Sequence, residues 1–417
     1  MAETVRWFLG VDWGQDVHAL CLVDQTGRVS GTRSVAHTAA AVADAVQWVR
    51  TQTGPAPAEI AVAIERPHGV LVDTFLDLGW AVFAINPKQL DRFRDRFTAG
   101  GAKDDRRDAH VAADALRTDA HAFHRVTAAD PRVLQVRELC RIVEDLQQQH
   151  GRLTNRLREQ LARVDAAWLT VCPAADEPWL WAILAKLPHP AQWARIGPRR
   201  LQTVLRTHRI RRLTAADLLT PLRQPRLRSA PGVADAVALQ VQTLVPQLQL
   251  LATQLATTQH QIDRGLETFA AEGEGDTTGE HRDVVILRSL PGVGRMVTAT
   301  MLTEAAGLLA ARDYATLRAY AGTAPVTKRS GKTLWHVHMR YACNARLRQA
   351  SYHWARASLC CDRPTRAYYD TLRARGHRHA RALRSVADRW LRILIAMLRE
   401  RTLYDPARFA AYAVPTV

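Results

Sequence analysis

The sequence predicts an α/β N-terminal domain, a middle of long helices, and a mainly helical C-terminal domain. Three observations predict this. Short apolar runs broken by turn residues occupy the first 125 residues; two Leu-, Gln- and Arg-rich stretches follow; compact helical patterning resumes at Val284. At 417 residues the chain is long enough for about two or three domains, and the boundaries fall at 1–127, 128–275 and 280–417. Hydrophobic residues at 47% and charged residues at 23% are globular values, which excludes a wholly disordered chain. No run is apolar enough to span a membrane, and MAETVRWFLGVDWG enters a strand pattern directly, so a cytoplasmic protein without a membrane partner is expected.

In chain order, Val5–Asp12 is an apolar run ending in an acid and His18–Val23 a second one. Asp24-Gln-Thr-Gly27 turns into Arg28–Val35, which predicts a three-stranded antiparallel meander. Thr38–Thr53 has helical spacing, Glu59–Glu65 is a buried strand ending in a carboxylate, Ala81–Ile85 is another strand, and Asp104–Asp119 is a helix. Arg132–Val164 and Ala234–Thr268 predict two long helices pairing as an antiparallel coiled coil. Between them the segment 166–231 is punctuated by Pro and Trp and carries a basic run, Gly197–Arg212, with six arginines and no acid. Glu272–Gly279 suits a flexible boundary, and Ala380–Arg401 is a closing basic helix with an apolar stripe.

Fifty-seven Lys+Arg against 40 Asp+Glu leave +17, and such an excess points to a polyanionic partner, most commonly nucleic acid. All but five of the cations are arginine, a preference that a GC-rich genome also produces. The six cysteines show no CxxC spacing and are expected to be reduced, mostly buried thiols.

Four acids form the candidate catalytic set. Asp12 and Glu65 each end an apolar strand, in FLGVDWG and AVAIERPHG. Asp105 and Asp108 lie one helical turn apart in KDDRRDAHVAADAL. Singly, each is more often a solvated strand-end or helix-face acid. Together, carboxylates at one sheet edge repel unless cations lie between them, which implies Mg²⁺ or Mn²⁺ bound through hard oxygen ligands. Two such ions about 3.5–4 Å apart suit phosphodiester chemistry. The order of strands, helix and acids is that of the RNase H/RuvC-like nuclease fold.

In the C-terminal part, Leu290-Pro-Gly-Val-Gly-Arg has the helix-hairpin-helix pattern, in which Gly292 and Gly294 let backbone N–H groups approach a phosphate. A tight helix–helix turn explains the same residues equally well. Downstream runs Tyr320-Ala-Gly-Thr-Ala-Pro325-Val-Thr-Lys-Arg-Ser330-Gly-Lys332. A Ser-Gly in a basic loop is usually a turn, although Arg329 and Lys332 beside Ser330 also suit a hydroxyl poised at a phosphate. Arg340, Asn344, Arg346 and Arg348 follow in an expected helix with Tyr352 and Trp354, which suit nucleic-acid contact or, with somewhat more weight for the aromatics, the core.

Asp12, Glu65 and the K-x-D-x-x-D-A stretch of Lys103, Asp105, Asp108 and Ala109 resemble the DEDD motif of insertion-sequence 110 family transposases. Asp104 stands where that family usually has a small residue, so Asp104/Asp108 competes with Asp105/Asp108. The LPGVG entry and the Ser330 loop resemble the family's second conserved domain, where a serine acts as nucleophile on DNA. Ala342-Cys343 stand before Asn344 where many relatives have Gly-Asn. The resemblance covers nearly the whole chain and implies a prokaryotic, nucleoid-associated recombinase. Its implied partners are donor and target DNA, a noncoding bridge RNA, and further copies of itself in a tetramer or dimer of dimers. Two other readings need only the acids or only the charge: an unguided RuvC-like junction resolvase or nuclease with water as nucleophile, and a nucleic-acid-binding protein with an inactive acidic cluster. The arginines of 166–231 suit an RNA-binding surface on composition alone.

Overall fold

The computed structural model describes residues 5–54, 56–65, 67–96, 104–126, 130–225, 229–271, 282–330 and 333–407. They fall into two compact units divided between Asp130 and Pro131.

The first unit is built on a six-stranded sheet of order β3-β2-β1-β4-β5-β6. β1 (Trp7–Asp12), β2 (Val17–Asp24) and β3 (Val29–Ala36) form the antiparallel meander expected from sequence. The Asp24 carboxylate accepts hydrogen bonds from the Thr26 and Arg28 N–H groups and fixes the β2–β3 turn, with Gly27 at φ +92°. α1 (Ala39–Thr53), capped by the Thr38 hydroxyl, crosses over to β4 (Ile60–Ile64), which pairs parallel with β1. α2 (Val70–Asp77) then leads to β5 (Ala81–Ala84), parallel to β4. α3 (Pro87–Arg94) and α4 (Asp105–Thr118) precede the short antiparallel edge strand β6 (His124–Arg125). Every residue of β4 is buried, because α1 and α2 pack on one face of the sheet and α4 on the other. α2, α3 and β6 were not anticipated: each has at most eight residues, too short for a periodic signal.

In the second unit α5 (Pro131–Val164) runs antiparallel to a second long helix, packing its start against that helix's end and its own end against that helix's start. Between them lie α6 (Ala167–Val171), α7 (Pro178–Lys186), α8 (Pro190–Trp193), α9 (Pro198–Thr207) and α10 (Ala215–Leu222). Prolines open α7, α8 and α9, where the missing N–H costs nothing. Trp168, Trp179, Trp181 and Trp193 are fully buried and close this segment into a core shared with both long helices. α11 (Pro231–Ala271) is the long partner of α5.

After it come α12 (Asp283–Ser289), α13 (Arg295–Glu304), α14 (Ala306–Ala310) and α15 (Tyr314–Tyr320), then the hairpin β7 (Val326–Ser330) and β8 (Thr333–His338). α16 (Ala345–Cys361), α17 (Arg363–Ala374) and α18 (His379–Glu400) complete the unit around a Trp354–Trp390 stack with centroids 5.7 Å apart.

Several expectations are corrected here. Ser330 ends a strand of a hairpin rather than lying in an open loop. Arg340 precedes α16, and Asn344 caps it by accepting from the Leu347 N–H, so neither is inside the helix. Of the six cysteines three are buried, whereas Cys360 and Cys361 are exposed. Lys103, Lys332 and the expected boundary at Glu272–Gly279 lie outside the described residues.

Candidate active site

The sheet register brings two of the acids together. β1 and β4 pair in parallel from Trp7↔Ile60 to Val11↔Ile64, and Asp12 and Glu65 directly follow the last paired residues at the C-terminal ends of this ladder. Side chains alternate along a strand, which places Asp12 on the face of Phe8 and Gly10. Phe8 packs there with Ala61, Ala63 and the buried side of α4. Both carboxylate residues are half-buried.

Gly10 sets how close α4 comes. A Cβ on Gly10 would lie 1.8 Å from the Ala109 carbonyl oxygen and 2.7 Å from the Ala113 nitrogen, so the helix backbone rests directly on the strand. At the far end of α4, Arg117 lies against Gly27, whose turn is at the N-terminal end of β1. α4 therefore runs antiparallel to β1, and its acidic first turn lies at the edge that carries Asp12 and Glu65. The FLGVD pattern held this signal: a glycine inside an apolar strand marks a close backbone approach.

The three adjacent acids of α4 have separate roles. Asp104 is the N-cap, its carboxylate accepting from the Arg106 N–H at 3.3 Å. Asp105 opens the helix and is exposed. Asp108, one turn on, is 3% exposed and accepts from Arg94 Nε at 2.8 Å, while Arg94 also reaches Asp91 at 2.9 Å. Arg94 was missed from sequence, because nothing in DRFRDRF distinguishes one arginine from its neighbours. No three of Asp12, Glu65, Asp105 and Asp108 lie within 4.8 Å of one another.

Among the described residues, the group that is so close is Cys172, Asp176 and Glu177. Burial raises the Cys172 thiol to about 11, so it keeps its proton. Burial alone would raise the Glu177 carboxyl as well, but hydrogen bonds from Arg212 and Trp179 outweigh it and hold it below the usual range. Glu177 is thus already engaged by Arg212 and Trp179, which gives this cluster a structural role.

In the second unit, Ser330 closes β7 and pairs across the hairpin with Thr333, with Arg329 opposite Leu334. Gly292 has φ +78°, and a Cβ there would meet the Ser358 nitrogen at 2.5 Å. The α12–α13 turn is thus pressed onto α16, and Trp354 donates from Nε1 to the Pro291 carbonyl. Gly294, at the N-cap of α13, has open space around it. Arg346 donates from Nε to Glu144 at 2.8 Å, and that hydrogen bond raises its pKa. Arg340 is half-buried just before α16. Trp354 is core; Tyr352 packs half-buried against the same cluster.

A mixed sheet of this order, with carboxylates at the C-terminal ends of adjacent parallel strands, is compatible with an RNase H-like DEDD domain. Residues 9–165 match the family described as transposase, of the DEDD type found in IS110, and residues 284–370 match the transposase IS116/IS110/IS902 family. The chain is 32% identical over 415 residues to the mini-circle putative transposase for IS117 of Streptomyces coelicolor, covering 97% of each chain. It is 44% identical over 216 residues to the putative transposase y4uE of Sinorhizobium fredii, a match spanning 52% of this chain and 60% of that relative's length. It is also 28% identical over 410 residues to the 43.6 kDa protein of insertion element IS110 from S. coelicolor, covering 97% and 96%. The chain belongs to the IS110 family of insertion-sequence transposases. Among the described residues, no helix is long and apolar enough to cross a membrane.

Proposed function

We propose that the protein moves an insertion sequence by RNA-guided cleavage and exchange of DNA strands, using Ser330 as nucleophile and the Asp12, Glu65, Asp105 and Asp108 cluster as its Mg²⁺- or Mn²⁺-binding site. The observation that carries this reading is that Asp12 and Glu65 directly follow the last paired residues of the β1–β4 ladder, Val11 and Ile64, with the acidic turn of α4 at the same edge. The donor set fits a hard divalent ion, since every ligand is a carboxylate oxygen and Asp108 already needs a neighbouring positive charge, now given by Arg94. Once bound, such an ion supplies Lewis-acid activation of a phosphodiester.

The chain's own residues do the rest. Arg94 holds Asp108 in its rotamer, and the β1–β4 register holds Asp12 beside Glu65. The Ser330 hydroxyl oxygen bonds to phosphorus and gives up its proton as the bond to the departing strand end breaks, and that end takes up a proton. Attack by a different strand's hydroxyl on the phosphoserine reseals DNA and restores the serine hydroxyl. Arg329 and Lys332 favour the phosphate at this position by charge. Because the acids and the serine belong to separate compact units, a composite site built from different copies in a tetramer or dimer of dimers is part of the proposal. The antiparallel packing of α5 on α11 supports a coiled-coil assembly element, and Gly294 at the open N-terminus of α13 supports a helix-hairpin-helix phosphate contact.

Two experiments test the reading. End-labelled element DNA is incubated with wild type, Ser330→Ala and Asp12→Ala proteins in Mg²⁺, and the products are denatured. Wild type is expected to give a covalent protein–DNA adduct and both variants none. An adduct from Ser330→Ala sinks the nucleophile, and cleavage without any adduct favours the unguided nuclease. Sequencing the RNA that survives a high-salt wash, after purification from cells carrying the native flanking DNA, tests guidance: one structured RNA mapping beside the gene is expected, whereas random fragments overturn it.

A further inference from the structure

The segment 166–231 has no place in the chemistry above, yet its charge is strongly one-sided. It holds eleven Lys+Arg against three acids, or +8 of the chain's +17. From Pro178 to Ala216 there is no acid at all. The two acids that bracket this run are committed to local partners: Glu177 pairs with Arg212, and Asp217 closes the capping box of α10 with Thr214.

The described part of the segment carries exposed cations along α9 and the turn after it. α9 buries Leu201 and Leu205 completely. At 100° per residue Arg199 and Arg206 fall on the opposite side, two turns or about 10 Å apart along the axis. Arg195, Arg199, Arg200, Arg206, Arg209 and Arg211 are all exposed, and among the described residues the arginine of this helix and its following turn with an acidic partner is Arg212. Arg209 ends the helix at φ +56°, where glycine is the usual choice and an L side chain costs about 1 kcal/mol.

We propose that the outer face of α9 and the turn after it, residues 195–211, is a contact surface for the phosphate backbone of duplex DNA, outside the catalytic cluster. DNA is the substrate class of the family to which the chain belongs, and the proposal rests on that alone rather than on the serine or the metal. The surface offers guanidinium groups and, among the described residues, no stacking platform: all four tryptophans of the segment are buried, and no exposed large hydrophobic residue among those described lies in it. Single-stranded RNA is recognised largely through exposed aromatics, whereas duplex backbone is bound through cations alone.

The test uses the full-length protein and a 40-base-pair duplex, with affinity measured across a salt series. Arg199→Glu with Arg206→Glu is expected to weaken binding at least tenfold near 0.15 M salt. The slope of log affinity against log salt should fall by about 2, one phosphate contact per arginine. Arg199→Lys with Arg206→Lys should keep the slope, and Arg195→Gln with Arg211→Gln should lower it without charge reversal. Far-ultraviolet circular dichroism checks folding. Asp12→Ala should bind as wild type does, which separates failure here from failure of the catalytic reading. Unchanged duplex affinity and slope in the Glu and Gln variants overturns the proposal, as does a loss confined to structured RNA with duplex DNA unaffected.

Discussion

Arg94 Nε donates to Asp108 Oδ1 at 2.8 Å, from α3 onto the first turn of α4, and the Asp108 side chain is 4% exposed. The Arg94 guanidinium is the positive charge in contact with this buried carboxylate, so its loss would leave the carboxylate without that partner. Arg94→Gln should destabilise the N-terminal unit by about 2–4 kcal/mol, because it leaves Asp108 buried without its compensating charge. Adding Asp108→Asn should recover much of that loss, and millimolar Mg²⁺ should raise the melting temperature of Arg94→Gln more than that of wild type. Thermal melts of wild type, Arg94→Gln, Asp108→Asn and the double variant, with and without Mg²⁺, check both statements; strictly additive costs would show that the two side chains act independently.

Gly10→Ala probes the seating of α4. The added methyl would lie 1.8 Å from a backbone carbonyl oxygen, which no rotamer change relieves. We expect a loss of more than about 3 kcal/mol and displacement of the helix that carries Asp105 and Asp108. Urea unfolding followed by circular dichroism measures it, and a near-wild-type midpoint would refute the close approach.

The two glycines of the LPGVG turn should separate packing from phosphate contact. Gly292→Ala meets both a left-handed φ and the Ser358 backbone, so it should destabilise the second unit by about 2–4 kcal/mol. Gly294→Ala enters open space and should change stability by less than about 1 kcal/mol. Gly294→Asp, folded but carrying a negative charge at the start of α13, should weaken DNA binding. Stability and binding measured on the same three proteins distinguish the roles.

His18 gives the N-terminal unit an acid limit. Its ring is buried against His37, with His18 Nε2 and His37 Nδ1 2.8 Å apart, and burial first, then the His37 charge, lowers its pKa below 6.5. Below about pH 6.5 the unfolded chain therefore binds a proton that the folded one does not, so stability falls as the solution is acidified and is fully present at higher pH. His18→Leu should flatten this dependence. Denaturant midpoints between pH 5 and 7.5 provide the check, and identical slopes for both proteins would contradict it.

Much of the first unit was legible because its strands alternate or are continuously apolar and end in turn residues. The β1–β2–β3 meander, β4, β5 and α4 fall within a residue or two of their expected limits. Asp12 and Glu65 were identifiable by the same logic, since a charge at the end of an apolar strand stands out against its run. Ser330 and the Asp105/Asp108 choice came from family resemblance rather than from local chemistry.

What the sequence by itself determined was the inventory: two strand-end acids, a helix opening with two more, two long helices, and an arginine-rich segment between them. Tertiary structure decided which of these residues meet. Strand order made Asp12 and Glu65 neighbours across more than fifty residues, Gly10 let α4 bring its acids to the same edge, and Arg94 was chosen as the partner of Asp108. It likewise gave Arg346 to Glu144, Gly292 to the α16 backbone and four tryptophans to one core. The physical reason is that periodicity reports the burial of one element's face, which is local, whereas ion pairs and backbone approaches depend on contacts between residues far apart in the chain.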